Sequence, residues 1–277
     1  MAETTSKTKH AAAGAIYTMR GVRLAFGAKS VLRGVDLTLD RAEVLGLVGA
    51  SGSGKSLLLK AMIGLQRLDA GSIEFDGREV TKMTERDLLS VRTRVGMVFQ
   101  YGALFESMSI GENVGYGLYE HHHETMSVEQ IQQRVQWALE SVALPGIEHL
   151  KPSELSGGMR KRAAVARTIA LRPEVLLYDE PTMGLDPVNT TRIGNLIAGL
   201  HERLGICSVV VTHDMRLASE ICDRIAFLDE GRIVALGTPD ELHGHRDQKV
   251  RAFVKVHGPQ DMDDADDYDF GDEELGA

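Results

Sequence analysis

The stretch that most constrains the fold of this chain is "GASGSGKS", at residues 49–56. It follows the short apolar run "VLGLV" and precedes the helical pattern "LLLKAMIGL", so it joins a buried strand to a helix. The stretch fits the pattern G-x-x-x-x-G-K-[ST], in which glycines let backbone N–H groups wrap around a phosphate. The helix that follows points its positive N-terminal end at the same anion. We therefore predict a phosphate-binding loop made of Gly49, Ala50, Ser51, Gly52, Ser53, Gly54, Lys55 and Ser56.

Four side chains at two places in the chain have predicted roles of their own. Lys55 is expected to reach the β- and γ-phosphates of a nucleotide during catalysis, and the Ser56 hydroxyl is expected to ligate Mg²⁺. In "VLLYDEP", Asp179 and Glu180 end an apolar strand, and ligands in α/β sheets bind beyond the carboxyl ends of the strands. Because hydrolysis needs a metal ligand and a group that positions water, we assign Asp179 to Mg²⁺ and Glu180 to the water.

Three further polar residues follow apolar strands or lie close to the Asp-Glu pair. Gln100 ends "VGMVFQ", His213 follows "VVVT", and Asp186 lies in "GLDP". Taken singly, each residue has an ordinary structural explanation, and a histidine at a strand end more often makes a structural hydrogen bond. Their order along the chain, together with the phosphate loop, favours one shared nucleotide site.

A second glycine-rich helix start occurs in "LSGGMRKR", at residues 155–162. Because the phosphate loop already supplies an anion-binding helix, "LSGG" is a second anion site with no ligand of its own in the same chain. We predict that Ser156, Gly157 and Gly158 contact the γ-phosphate held by a second copy of the chain in a two-fold dimer. ATP would then join the two copies, and its hydrolysis would release them.

The net charge of −9 comes from one end of the chain. Residues 261–277 contain nine acidic side chains and no Lys or Arg, so the other 260 residues hold 31 acidic and 31 basic side chains. A neutral body gives no electrostatic case for a nucleic-acid partner. The composition of residues 258–277 predicts a disordered acidic tail, and residues 1–15 are interpreted as a flexible N-terminal segment.

Hydrophobic patterning divides residues 16–257 into several kinds of segment. The first part predicts strands, with alternation in "VLRGVDLTLD" and a hairpin turn at Asp76-Gly77. Residues from about 105 to 165 predict a helical subdomain, in which Ser127 and Gln130 form a capping box. Apolar strands then alternate with helices, which indicates an α/β fold with a parallel sheet, and "IAFLDEGRIVALG" adds a hairpin. A C-terminal helical extension is predicted over about 239–257.

The motif set "GASGSGKS", Gln100, "LSGG", "VLLYDEP", "GLDP" and "TH" resembles the nucleotide-binding domain of ATP-binding cassette (ABC) transporters, over about residues 16–245. The resemblance implies a P-loop NTPase fold with a mixed-sheet core, an antiparallel β subdomain and a helical subdomain. It implies hydrolysis of ATP with Mg²⁺, in which Phe26 stacks on the adenine and His213 contacts the γ-phosphate. Gln100 would ligate Mg²⁺ and couple the site to a membrane partner, and Asp186 would belong to the same site.

Met159 departs from the commoner signature, which has Gln after "LSGG". Together with the "GALF" run after Gln100, "LSGGM" resembles the ATPases of the bacterial maintenance-of-lipid-asymmetry (Mla) and mammalian-cell-entry (MCE) systems. That resemblance implies phospholipid transport by an ATPase dimer on the cytoplasmic side of the inner membrane. The implied partners are an integral membrane permease, an MCE-domain lipid-binding protein and, in many systems, a STAS-domain subunit. We interpret Arg160, Lys161 and Arg162 as a solvated helix face, with a partner contact as the alternative.

Two other functions stay open at this point. An ATPase for the import of amino acids or another small solute would share every nucleotide motif, and only "LSGGM" and "GALF" disfavour it. A soluble ATP switch in DNA repair would place a long coiled coil between the phosphate loop and the signature, but Lys55 and Ser156 are only 101 positions apart. A translation-type switch would carry two cassettes in tandem, whereas this chain carries one.

Overall fold

The computed structural model describes residues 14–257, with side chains as far as residue 255. The acidic tail predicted at 258–277, and nearly all of the N-terminal segment predicted at 1–15, lie outside these residues. The described strands are β1 (Ala15–Phe26), β2 (Lys29–Asp40), β3 (Val44–Val48), β4 (Ala70–Phe75), β5 (Arg78–Glu79), β6 (Val95–Val98), β7 (Val175–Asp179), β8 (Cys207–Val211), β9 (Arg224–Asp229) and β10 (Arg232–Gly237). The α-helices are α1 (Lys55–Met62), α2 (Glu85–Arg94), α3 (Ile110–His122), α4 (Val128–Ser141), α5 (Gly157–Ile169), α6 (Pro187–Leu204), α7 (Met215–Ile221), α8 (Pro239–His243) and α9 (Gln248–His257).

The central sheet has six strands in the order β10-β9-β3-β8-β7-β6. Strands β3, β6, β7, β8 and β9 are parallel, and β10 pairs antiparallel with β9 through the predicted hairpin. Every residue of β3, β7 and β8 is buried, as expected for short apolar strands covered on both faces. Leu176 and Tyr178 pack into one hydrophobic core, and Val175 and Leu177 pack into the other. The predicted mixed-sheet core is confirmed, and its parallel strands bring their carboxyl ends to one edge.

A second, antiparallel sheet has the order β2-β1-β4-β5. The alternation predicted in β2 is confirmed, because Val35, Leu37 and Leu39 are buried while their neighbours are more exposed. The predicted turn at Asp76-Gly77 joins β4 to β5. A backbone hydrogen bond of 2.8 Å from the Arg33 N–H to the Gly231 carbonyl ties this sheet to the β9–β10 hairpin. The sheet therefore borders the edge of the central sheet near its phosphate loop.

Helices α3, α4 and α5 pack against one another to form the helical region. The capping box predicted before α4 is present, since the Ser127 hydroxyl accepts from the Gln130 N–H while the Gln130 side chain accepts from the Ser127 N–H. Apolar side chains at helical spacing on one face of α4 are buried, among them Ile131, Val135 and Leu139. Helix α5 runs on to Ile169, beyond the limit of about 165 predicted from the sequence.

The C-terminal residues of the described chain form α8 and α9. In α9, Val250 and Val254 are buried, and the Phe253 ring lies 4.9 Å, centroid to centroid, from the Phe227 ring of β9. These contacts fix α9 against the central sheet. None of the helices within residues 14–257 has the length and apolar character needed to cross a membrane.

Candidate functional site

The phosphate loop connects β3 to α1 and buries Lys55 beneath it. The Lys55 Nζ donates hydrogen bonds of 2.8 Å to the Gly49 carbonyl and 2.9 Å to the Ala50 carbonyl. Burial lowers the pKa of Lys55, and the nearby carboxylates of Glu180 and Asp179 act in the opposite direction. Glycine is required at position 49, because the Cβ of any other residue there would lie 2.1 Å from the Leu228 carbonyl oxygen. The loop is therefore held close to β9, with its lysine among the predicted site residues.

The first turn of α1 is open to an anion. Helices α2 to α8 each begin with a side-chain cap, but α1 begins at Gly54, with a φ of 107° and no side-chain cap. Its first N–H groups therefore lack the side-chain acceptor that the other helices have. The Ser53 hydroxyl is buried without a hydrogen-bond partner among the described residues. These donors fit the phosphate chain of a nucleotide.

A hydroxyl and a carboxylate meet beside the loop. The Ser56 Oγ donates a hydrogen bond of 2.6 Å to the Asp179 Oδ1 at the end of β7. Asp179 is only 4 % exposed. Mg²⁺ bound with a nucleotide typically takes one or two protein oxygens, and the phosphates and water complete its octahedron. Ser56 and Asp179 fit this requirement, although they are 123 positions apart in the sequence.

Glu180 and His213 form a pair at the ends of neighbouring strands. The His213 Nδ1 lies 2.9 Å from the Glu180 Oε2. Glu180 has a φ of 47°, an uncommon value for a residue with a Cβ, and its N–H donates to the Val211 carbonyl. Backbone strain of this kind costs on the order of 1–3 kcal/mol and is concentrated at functional sites. The sequence placed both residues near the nucleotide, but their direct contact was not predicted.

The segment that follows β6 is held by cations from α5. The Lys161 Nζ donates to the Gln100 carbonyl, and the Arg167 guanidinium donates to the Gly102 carbonyl at 3.1 Å and the Ala103 carbonyl at 2.6 Å. Burial lowers the pKa of both cations. For Lys161, the carboxylates of Asp179 and Glu180 oppose this shift, so its ammonium lies in the field of the site. The structure therefore links the "LSGG" helix directly to Gln100.

This arrangement corrects the interpretation of "RKR" as a solvated face. Arg160 is exposed, but Lys161 and Arg162 are half-buried. Arg162 donates to the Val142 and Ala143 carbonyls at the end of α4. The prediction was wrong for these two residues because their long side chains reach backbone acceptors of distant segments. Nothing in the sequence marked Arg167, since those acceptors belong to a loop more than 60 positions away.

The "LSGG" residues begin α5 at the surface. The Ser156 hydroxyl accepts a hydrogen bond of 3.3 Å from the Met159 N–H, and Ser156 and Gly157 are exposed. Gly158 is buried, and a Cβ on it would lie 2.9 Å from the Asn189 Oδ1 of α6. The Met159 side chain packs against the hydrophobic core.

Asp186 and Phe26 complete the set of predicted residues. The Asp186 carboxylate caps α6 by accepting from the Asn189 N–H at 2.9 Å, and these hydrogen bonds lower the pKa of Asp186. Phe26 ends β1 with its side chain 53 % exposed. Strand β2, which pairs with β1, lies close to the phosphate loop: a Cβ added to Gly54 would be 3.2 Å from the Val31 side chain. The β1–β2 hairpin therefore presents an exposed aromatic ring on the strand pair that borders the phosphate loop.

Replacing Arg167 by Met should destabilise the protein, because two loop carbonyls would lose their buried donors. We expect the free energy of unfolding to fall by about 1–3 kcal/mol, the cost of leaving such groups unsatisfied. Urea denaturation would measure the change. Arg160→Met is the matched control, since Arg160 is exposed on the same helix. Equal stability of the two variants would contradict a structural role for Arg167.

Comparison with known proteins assigns the chain to a family. A family model described as "ABC transporter" matches residues 32–183. The methionine import ATP-binding protein MetN of Carboxydothermus hydrogenoformans is 40% identical over 81% of this chain, which spans 66% of that protein. The intermembrane phospholipid transport system ATP-binding protein MlaF of Escherichia coli is 39% identical over 85% of this chain and 87% of that protein.

A solved structure has the same fold. It is a dimeric ATP-binding cassette in a post-hydrolysis state, bound to ADP and Pi, with a TM-score of 0.74 and 30% identity over 80% of this chain and 98% of that one. The resemblance inferred from the motifs is therefore confirmed, and so is the predicted fold class. These matches, with the phosphate loop and the carboxylates at the strand ends, show that the chain belongs to the ABC transporter family, as an ABC-type ATPase.

Proposed function

We propose that this chain hydrolyses ATP to ADP and phosphate as a dimer, and that it thereby drives phospholipid transport between bacterial membranes. The observation that carries the catalytic part is the convergence of two pairs beside Lys55: Ser56 with Asp179, and Glu180 with His213. Both pairs lie at the carboxyl edge of the central sheet, where ligands of α/β proteins bind.

Each residue of the site has a role that follows from its position. Lys55 and the open N–H groups of α1 bind the phosphates, and Phe26 stacks on the adenine. Ser56, Asp179 and Gln100 would hold Mg²⁺, which would neutralise charge on the phosphates. Glu180 orients the attacking water and accepts its proton at a carboxylate oxygen. His213 fixes the Glu180 carboxylate through its Nδ1 and contacts the γ-phosphate through the rest of the ring.

The dimer part of the proposal concerns the exposed start of α5. Ser156 and Gly157 are exposed and carry no charge, so a second copy could present its bound nucleotide to them. Gly158 lies against Asn189, and Asn189 is held by Asp186, so the signature and the "GLDP" segment form one unit. The dimeric state of the solved cassette supports this arrangement.

The proposed phospholipid substrate is supported by two sequence features and by the match to MlaF. The methionine importer and the phospholipid ATPase are almost equally identical to this chain, so identity alone does not separate them. The chain spans 87% of MlaF and 66% of MetN. "LSGGM" and "GALF" favour the lipid system. The alternative is an importer of amino acids or other small solutes, which the MetN match favours.

An exposed group of aromatic residues fits a membrane-bound partner. Phe105, Tyr116 and Tyr119 are exposed on or next to α3, and Tyr101 is exposed in the segment that follows β6. The Phe105 and Tyr116 rings lie 5.0 Å apart. Exposed aromatic clusters are typical of protein interfaces. We propose that they face the permease, which places the ATPase on the cytoplasmic side of the inner membrane. An MCE-domain lipid-binding protein and a STAS-domain subunit complete the proposed assembly.

Co-purification tests the substrate assignment. The Glu180→Gln variant should be used as bait in detergent-solubilised membranes, because it is expected to hold the ATP-bound dimer, and the captured proteins and lipids should be identified by mass spectrometry. We expect a permease, an MCE-domain protein and phospholipid. Capture of a solute permease with a soluble solute-binding protein would replace the lipid assignment by the importer. Arg160→Met as bait, with its site intact, controls for capture that is independent of the trapped state.

A further inference from the structure

A cavity of about 700 Å³ lies at the edge of the central sheet opposite the phosphate loop. Its wall includes Ala42, Glu174 and Cys207, which lie at the amino ends of β3, β7 and β8. The phosphate loop follows the carboxyl end of β3, so the two sites are separated by the length of the strands. The volume is in the range of pockets that bind ligands, and Trp137, Leu204 and Ile206 give the cavity an apolar side.

Three guanidinium groups line the cavity, those of Arg41, Arg172 and Arg203. Arg41 pairs with the Asp76 carboxylate. Within residues 14–255, no ion pair joins Arg172 or Arg203 to a carboxylate within 4.0 Å. Glu174, the acidic residue of the wall, is already paired with Arg94. The cavity therefore carries net positive charge.

A further cation extends this positive region around Trp137. The Arg172 Cζ lies 5.2 Å from the Trp137 ring centroid, and the Arg134 Cζ lies 5.7 Å from it. Burial and the positive charge of Arg172 both lower the pKa of Arg134, which shows that the two cations repel each other. A smaller cavity of about 480 Å³ shares Trp137 and Arg172 with the first. A cluster of like charges around an aromatic ring is complementary to an acidic segment that also carries aromatic side chains.

The C-terminal end of the chain is a segment that is acidic and carries aromatic side chains. Residues 261–277 hold nine acidic side chains without a compensating base, and the stretch "DDYDFGDEE" places Tyr268 and Phe270 among them. We propose that this acidic segment docks into the arginine-lined cavity of the same chain. Its carboxylates pair with Arg172, Arg203 and Arg134, and its aromatic rings contact the apolar side at Trp137. The inference does not depend on the transported substrate.

The length of the segment allows this contact. Twenty residues follow α9, and an extended chain spans about 3.3 Å per residue, or about 65 Å in all. A domain of this size is about 45 Å across. Lys249, near the start of α9, pairs with Asp229 at the carboxyl end of β9, and the Phe253 ring contacts Phe227 earlier in that strand, so α9 runs toward the amino edge where the cavity lies. The eight residues between α9 and "DDYDFGDEE" add a reach of about 26 Å. Because the contact is mainly between exposed charges, it weakens as salt shortens the Debye length from about 8 Å at physiological ionic strength to about 3 Å at 1 M.

Trp137 provides a direct measurement, because it is the single tryptophan of the chain and lines the cavity. The full-length chain should be compared with a full-length variant in which the nine acidic residues of 261–277 are replaced by Asn or Gln. We expect the Trp137 emission maximum to differ between the two at 50 mM salt and to coincide at 1 M salt. A synthetic peptide of residues 261–277, added to the amide variant, should restore the emission of the native chain.

Three controls make the result decisive. Arg172→Glu with Arg203→Glu should abolish the response to the peptide, whereas Arg86→Glu, an exposed arginine of α2, should leave it unchanged. A peptide with Asn and Gln at the acidic positions should have no effect. The difference in emission between the native chain and the amide variant should not vary over a hundredfold range of protein concentration. Identical emission of native and amide chains, a response to the neutral peptide, loss of the response in Arg86→Glu, or a concentration-dependent signal would each overturn docking within one chain.

Discussion

The Glu180→Gln variant is expected to bind ATP and to hydrolyse it about 10³-fold more slowly than the native chain. A positioned general base contributes on the order of 10²–10⁴-fold to a rate, and an amide cannot accept the proton of the attacking water. The substitution keeps the shape of the side chain, and its amide nitrogen or oxygen can still contact the His213 ring at 2.9 Å. The loss should therefore appear in kcat, while the affinity for ATP stays within a few fold.

Steady-state phosphate release and equilibrium binding of a fluorescent ATP analogue would measure the two quantities separately. Size-exclusion chromatography with ATP should also show a dimer that persists in the variant and dissociates in the native chain. Glu202→Gln is the matched control, because Glu202 is an exposed carboxylate of α6. If Glu180→Gln keeps a kcat within tenfold of the native value, Glu180 does not serve the attacking water and the assignment of the site fails.

The Lys55→Met variant is expected to lose ATP affinity by about 10- to 100-fold. A charge-assisted hydrogen bond is worth about 1.5–3 kcal/mol, and each 1.4 kcal/mol changes an affinity tenfold. Methionine keeps the length and the apolar stem of the side chain but removes the ammonium that binds the phosphates. In the described chain that ammonium donates only to two loop carbonyls, so it is available to an anion that enters the loop.

Isothermal titration with ATP and Mg²⁺ would measure this loss, and urea denaturation of the nucleotide-free variant would separate it from unfolding. Met also removes the donor to the Gly49 and Ala50 carbonyls, so the free energy of unfolding should fall by about 1–3 kcal/mol, as expected for Arg167→Met. This is a fraction of the roughly 5–15 kcal/mol typical of a folded domain, so the titration is made on folded protein. Lys60→Met, at the other end of the same helix, is the control. Equal ATP affinity in the Lys55 and Lys60 variants would exclude the predicted phosphate contact.

Much of the fold follows from local sequence signals. The alternation of apolar and polar residues predicted strand β2. The capping box at Ser127 and Gln130 marked the start of α4, and the turn at Asp76-Gly77 marked a hairpin. These signals are reliable because each depends on neighbours within a few positions. The helical subdomain was predicted over about 105–165, whereas α5 continues to Ile169, since a continued run of helix-compatible residues gives no local mark of where a helix stops.

The candidate site was predicted residue by residue, but not as a set of contacts. The phosphate loop is a local motif, and the strand-end positions of Asp179, Glu180 and His213 follow from the general geometry of α/β sheets. The hydrogen bond of Ser56 with Asp179 and that of Glu180 with His213 require the strand order β3-β8-β7, which no local pattern encodes. That order depends on which apolar strands pack best together across the whole core.

The sequence by itself therefore determined the phosphate loop, the nucleotide motifs and the family, because these depend on residue types at fixed short spacings. Only the tertiary structure decided where the long cationic side chains go. Lys161 and Arg167 reach the loop after β6, and Arg41, Arg172 and Arg203 meet around one cavity, although they come from distant parts of the chain. The physical reason is that a charged side chain can pair with any acceptor within its reach, and that choice is made only when the core has brought those acceptors near.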